Sequence, residues 1–215
     1  MEFGMTIALT APMHGRHNTV KYCLKKNKQA GVAWFVFAAT EDDDLELFDD
    51  DFQVVTVRAA NVISHKAQVA LEQSKALKTD AVIMMGSDDY INAAAMELIQ
   101  TLLVDHDYIC FEDCYFDDRG TWYRWPGYPA EHPRFGEPVG AGKVIRRDLL
   151  DRIGWKVWHN TKKGRVDYDA HRILRKASKS MATINCVRDG VKLVDVKDAW
   201  SKTPVSKFNY LERLR

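Results

Sequence analysis

Two adjacent carboxylates, Asp88 and Asp89, follow a short apolar run and a glycine in Ala81-Val-Ile-Met-Met-Gly-Ser-Asp-Asp-Tyr90. Anions side by side repel each other, a cost that a facing cation or sugar hydroxyls remove. Hard carboxylate oxygens suit Mg²⁺ or Mn²⁺, which keep several waters and bridge to substrate phosphates. Val82 to Met85 has the length and makeup of a buried strand, and Gly86 lets the backbone turn tightly at its end. The doublet then falls at the carboxyl end of a strand, where open α/β sheets place their ligands. Spacing alone also allows a plainer role, with Ser87 or Asp88 capping a helix that starts near Tyr90. A second acidic pair, Asp167 and Asp169 in Val166-Asp-Tyr-Asp-Ala-His-Arg172, stands at the head of a helical stretch, where caps are common.

The elements that must position these groups alternate along the first half. Thr6 to Ala11 reads as a buried strand ended by Pro12, and Asn18 is placed to cap a helix running to Ala30 that Gly31 stops. Val32 to Ala39 and Phe52 to Val57 are further strands, separated by the acidic loop Glu41-Asp-Asp-Asp44. Asn61 or Ser64 starts a helix to about Lys78, and Asp80 leads into the carboxylate strand. A helix over Ala93 to Val104 and a strand over Tyr108 to Phe111 complete this half. Strands that are apolar throughout and alternate with helices predict an α/β domain whose central sheet is mostly parallel and flanked by helices.

The second half changes character. Residues 112–138 mix Trp122, Tyr123, Trp125 and Tyr128 with prolines and glycines, which reads as a long aromatic loop region. Lys143 to Gly154 is a short strand into a short helix, and a helix follows over Tyr168 to Ala177. Ala182 to Val187 and Val191 to Val196 read as a hairpin joined at Asp189-Gly190.

A chain of 215 residues suits a single domain with one buried core. Met1 to Gly4 reads as an expression scar before Met5, with residues 5–111 and 112–215 as the two halves of the domain. No apolar run approaches the roughly 20 residues of a membrane span and no secretory leader is visible, so a cytoplasmic protein without membrane insertion is expected. The four cysteines are sparse and unevenly spaced. Cys110 and Cys114 lack a second metal-ligand pair, which favours buried free thiols. Residues 141–215 hold 19 Lys and Arg against 8 Asp and Glu, whereas the remainder is net acidic. That asymmetry points to an anionic ligand or polymer at the C-terminal third, although Arg172, Arg175, Lys176 and Lys179 also fit a solvated helix face.

In this arrangement the chain resembles the GT-A fold nucleotide-sugar glycosyltransferases, particularly the large inverting family of small bacterial and phage enzymes. Thr10-Ala-Pro12 with Arg16 resembles the opening turn that contacts the nucleotide. Asn61 and Lys66 resemble the asparagine and basic residue that flank it. Gly86-Ser-Asp-Asp89 resembles the DxD-type motif for metal and donor, and the stretch from Gly140 to Trp155 resembles the acceptor-side strand and helix. Val166-Asp-Tyr-Asp169 resembles the segment supplying the catalytic base, with Asp167 in the base position, Asp169 second, and Val166 where the family has glutamate. Ala39-Thr-Glu-Asp-Asp43 replaces the usual Asp-Asp-Gly-Ser, so either Glu41 or Asp42 would hold the nucleotide base.

The resemblance implies a metal-dependent inverting transfer from a UDP-sugar or related donor, with Asp89 and Asp88 on Mn²⁺ or Mg²⁺ and Asp167 taking the acceptor proton. Asp88 alternatively holds ribose or donor-sugar hydroxyls, and Lys197 and Lys202 are placed to cover the phosphates. The acceptor is expected to be a large anion, with a hydroxymethylated base of phage DNA as the specific expectation, or else a saccharide stacked on the same aromatics. A nucleotidyltransferase acting on a sugar phosphate is the alternative, since it combines a similar sheet with a strand-end carboxylate. Pro12-Met-His-Gly-Arg16 lacks the glycine-rich loop such enzymes carry after the first strand. A non-catalytic binding module would not need Asp88, Asp89 and Asp167 in one cleft.

Overall fold

The computed structural model of the protein describes residues 4–40, 53–158, 166–199, 201, 204–208 and 210–214. In chain order the first elements are β1 (Ile7–Pro12), α1 (His17–Ala30), β2 (Trp34–Ala39), β3 (Val54–Arg58), α2 (Ile63–Ser74) and β4 (Ala81–Met84). They are followed by β5 (Asp89–Ile91), α3 (Ala93–Leu102), β6 (Tyr108–Phe111), β7 (Cys114–Asp118), β8 (Thr121–Trp125) and β9 (Lys143–Arg146). The remainder is α4 (Arg147–Arg152), α5 (Val166–Ala177), β10 (Met181–Ile184), β11 (Leu193–Lys197) and β12 (Glu212–Arg213).

The apolar strands assemble into a seven-stranded sheet in the order β10-β6-β9-β4-β1-β2-β3. Strands β1 to β4 run parallel in it, β10 is parallel to β6, and β9 runs antiparallel between β4 and β6. Strands β4 and β6 are buried along their whole length, as strands covered on both faces must be. Helix α1 ends where Gly31 takes φ 102 and its N–H turns back to the Lys28 carbonyl. Its start departs from expectation: Asn18 lies inside the helix, and the cap position is Arg16, held at φ 55. Among the described residues, no helix is long and apolar enough to cross a membrane.

A second sheet of five strands, β12-β8-β7-β11-β5, is the main feature the sequence pattern hid. Residues 112–138 are not one long loop, because β7 and β8 form an antiparallel hairpin inside them. Arg119 and Gly120 turn it, both with positive φ, and Asp117 accepts the Gly120 N–H at 2.9 Å. The hairpin expected over 182–196 does not form either. Strand β10 joins the large sheet beside β6, and β11 enters the small sheet between β5 and β7. The turn at Asp189-Gly190 thus carries the chain from one sheet to the other. Both sheets share one apolar core, with Leu9, Phe37 and Ile83 from the large sheet and Ile91, Phe116 and Leu193 from the small one. All four cysteines are buried free thiols in this structure.

Candidate active site and metal centre

Strand order reverses between β1 and β4: the chain goes from β1 outward to β2 and β3, while β9 and β6 lie beyond β4. Crevices at such points, beyond the carboxyl ends of the strands, are where α/β sheets bind ligands. A cavity of about 570 Å³ opens there, lined by Thr10 and Pro12 of β1, by Gly86, Asp88 and Asp89 after β4, and by Asp167 of α5.

Neither Ser87 nor Asp88 caps a helix. The chain turns after β4 and enters β5 at Asp89, and α3 is capped instead by Asn92, whose side chain accepts the Ala95 N–H at 3.1 Å. Gly86 is required by close approach rather than by a left-handed backbone. A β-carbon there would lie 2.7 Å from Asp88 Oδ1 and 2.8 Å from Asp89 Oδ2, and the Gly86 N–H donates to Asp89 Oδ2 at 2.6 Å. A buried amide, Asn27 of α1, fastens the edge strand β5. It donates to the Asp89 carbonyl at 2.9 Å and accepts the Ile91 N–H at 3.1 Å, standing in for a neighbouring strand.

A third carboxylate completes the cluster. In the antiparallel pairing of β5 with β11, Asp195 lies directly opposite Asp89. Oxygens of Asp88, Asp89 and Asp195 all come within 4.8 Å of one another. Like charges directly opposite on paired strands are destabilising, and Asp195 Oδ1 is buried without a hydrogen-bond partner among the described residues. Three converging hard donors, one with an unsatisfied oxygen, fit a divalent cation.

Two protein cations answer part of this charge. Arg16 pairs with Asp88 and donates to Ser201 Oγ at 2.7 Å, and Lys197 pairs with Asp195. Burial opposes the Arg16 charge, but Asp88, Asp198 and Asp195 raise its pKa beyond the usual value. Asp89 has no such partner among the described residues. Burial first, then repulsion from Asp195 and Asp88, holds its carboxyl well above the usual range. Burial and Asp88 push Asp195 up to about 7, against the pull of Lys197.

The opposite wall carries Asp167. Its side chain is 59% exposed and its Oδ1 lies 3.9 Å from the Nζ of Lys143, a fully buried lysine at the start of β9. Above the cavity Trp125 meets Tyr128 edge to face, Tyr128 stacks on His132 at 4.6 Å, and the Arg134 guanidinium sits 4.5 Å from the Tyr128 ring. Three C-terminal arginines are paired within the protein: Arg152 with Asp107 and Asp148, Arg146 with Asp148, and Arg188 with Asp189.

The structure thus brings Thr10, Pro12, Asp88, Asp89, Asp167 and Lys197 to one cavity, with Arg16 bonded to its rim. Other sequence-named residues are placed elsewhere. Lys66 is 1% exposed, donates to the Met13 carbonyl and is not among the lining residues. Asn61 is exposed ahead of α2, whose Ile63 and Ala67 line the cavity instead. Asp169 stands on the first turn of α5 and is not among the lining residues. Glu41, Asp42 and Lys202 lie outside the described residues, as do Lys162 and Lys163. Sequence reasoning missed Asp195 and Lys143. Asp195 sits in an otherwise apolar strand, Leu193-Val-Asp-Val196, and a lone carboxylate in such a run was the available signal.

The two sheets, meeting at a strand-end acidic cluster, match the GT-A fold of solved structures. S. aureus TarS 1–349, solved in complex with UDP-GlcNAc, matches with a TM-score of 0.64 at 14% identity, over 94% of this chain and 62% of that one. GalNAc-T7, solved with UDP, GalNAc and Mn²⁺, matches with a TM-score of 0.61 at 11% identity, over 94% of this chain and 45% of that one. Rv0371c from Mycobacterium tuberculosis H37Rv matches with a TM-score of 0.51 at 11% identity, over 85% and 88% respectively. The chain therefore spans less than two thirds of the TarS and GalNAc-T7 chains, and at these identities the likeness is one of fold. No protein-family model and no curated protein sequence matches the chain.

Proposed function

We propose that the protein is a metal-dependent, inverting glycosyltransferase that moves a sugar from a UDP-sugar to an acceptor hydroxyl. The observation that carries this reading is the cluster of Asp88, Asp89 and Asp195 in the same cavity as Asp167. A bound Mn²⁺ or Mg²⁺ would supply charge stabilisation to the departing diphosphate. The chain's own residues do the rest. Asp89 and Asp195 provide the ligand oxygens. Asp88 is a third ligand or holds donor hydroxyls, and Arg16 and Lys197 add positive charge beside the phosphates. Asp167 accepts the proton of the acceptor hydroxyl as its oxygen bonds to the anomeric carbon and the bond to the nucleoside diphosphate breaks. Attack from the face opposite the leaving group inverts that carbon.

For the acceptor we favour a hydroxymethylated base of phage DNA. The excess of Lys and Arg in residues 141–215 supports this reading, as do the aromatic groups roofing the cavity. Ligand-induced melting shifts test the donor assignment, using UDP-, GDP-, CDP- and ADP-sugars with and without Mn²⁺. A site filled at about 100 times its dissociation constant adds about 2.7 kcal/mol. Pyrophosphate release from a nucleoside triphosphate and a sugar phosphate, with no turnover of any nucleotide-sugar, would replace the reading by nucleotidyl transfer. Transfer to hydroxymethylated but not unmodified DNA, falling steeply with salt, is expected for the acceptor. The slope of log affinity on log salt should be about −0.9 per duplex phosphate contact, and alanines at Lys162 and Lys163 should flatten it. Transfer to a glycan and to neither DNA removes the DNA acceptor and leaves the transferase reading.

A further inference from the structure

We propose that Lys143 is a positioning residue for the Asp167 carboxylate, acting through the Val139–Gly140 turn that it anchors. Lys143 opens β9 opposite Met84 of β4 and is fully buried. Its ammonium donates to the Val139 carbonyl at 3.1 Å and to the Gly140 carbonyl, and lies within ion-pair range of Asp167 Oδ1. An ammonium has three donors, so two fix the turn and one remains for the carboxylate side. The turn in its own right touches Asp167: a β-carbon on Gly140 would lie 2.8 Å from Asp167 Oδ2.

A buried charge is costly, and an apolar side chain of similar length would fill the same space. Burial is the leading influence on Lys143 and opposes its charge. Asp167 is the leading one in its favour, with Cys110 and Asp89 behind it and Arg134 opposing. The carboxylate, by contrast, is largely exposed on the first turn of α5, so packing does not select its rotamer. Lys143 and the turn supply a fixed reference on the sheet side. A base misplaced by about 1 Å forfeits about 10² in rate, so holding this carboxylate still has a direct effect on turnover.

The inference rests on Asp167 being the base, and a double-mutant cycle separates the two claims. The probe is whichever UDP-sugar gives the largest Mn²⁺-dependent melting shift, with UDP release as the readout. Lys143→Met should lower kcat at least tenfold and leave the dissociation constant of UDP with Mn²⁺ unchanged. In an Asp167→Asn background the same substitution should lower kcat no further, although any loss of melting temperature persists. Gly140→Ala keeps Lys143 and displaces the carboxyl end of the Asp167 side chain. It should reproduce the kcat loss and the non-additivity with little change in melting, and it carries the test if Lys143→Met does not fold. Full kcat in Gly140→Ala, or multiplicative losses in the cycle, overturns the positioning role alone. Wild-type kcat in Asp167→Asn overturns the base assignment and the positioning role together.

Discussion

Replacing Asp89 with asparagine should stabilise the metal-free protein and remove its response to Mn²⁺. The three carboxylates meet two protein cations: Arg16 answers Asp88 and Lys197 answers Asp195, which leaves Asp89 as the uncompensated charge. Two unit charges at the 4.8 Å limit of this cluster repel by about 3.5 kcal/mol at an effective dielectric of about 20. Attraction to Lys197 cancels part of that, so Asp89→Asn should relieve on the order of 2 kcal/mol. Asparagine can still accept the Gly86 N–H, so the turn survives. In a chain of this length about 2 kcal/mol corresponds to a rise in melting temperature of about 4 to 8 °C.

The pH dependence has a definite sign. Folding raises the Asp89 and Asp195 pKa values, so the native state binds protons more tightly than the unfolded chain. The penalty is absent below the ordinary carboxylate range and grows as pH rises; the share carried by Asp195 is complete above about 7, where it has lost its proton. Melting in EDTA at pH 8 should therefore show the largest gain for Asp89→Asn, and at pH 5 the gap should narrow. Adding Mn²⁺ should raise the wild-type melting temperature and leave the variant unmoved. A variant that melts no higher than wild type at pH 8 in EDTA, or that keeps the full Mn²⁺ shift, refutes the electrostatic account of this cluster.

Asp167→Asn should leave UDP and Mn²⁺ binding intact while kcat falls by about 10² or more, measured by UDP release, because the base acts only on the acceptor proton. Gly86→Ala places a methyl against both carboxylates, 2.7 and 2.8 Å from their oxygens, so Mn²⁺ affinity should drop about tenfold or more in a calorimetric titration, with the fold retained by circular dichroism. Asn27→Leu leaves the Asp89 carbonyl and the Ile91 N–H buried without partners. A loss of about 2 to 4 kcal/mol in urea unfolding is expected, and an Ile91 amide still protected from hydrogen exchange would contradict the clamp.

Much of the first half was legible because its signals are local. Apolar runs of strand length alternating with capped or glycine-stopped helices specify a covered parallel sheet, and a glycine followed by two carboxylates marks a strand end where binding occurs. The same locality explains what was misread. Asp117, Arg119 and Gly120 form a tight turn, yet the flanking strands are half-buried and aromatic without clean alternation, so β7 and β8 passed for a loop. The turn at Asp189-Gly190 was recognised, but a turn does not say which sheet the next strand completes, and β10 and β11 part company there.

The sequence by itself determined the α/β class, the crevice beyond β4 and one face of the acidic cluster, because each follows from residues adjacent in the chain. Only tertiary structure decided that Asp195 stands opposite Asp89, that Lys197 shares its charge, and that Lys143 lies within ion-pair range of Asp167. Those contacts depend on strand register and on helix α5 packing near a distant turn. Register is set by the burial of whole faces rather than by the residues that meet across it, so no short stretch of sequence encodes which charges come together.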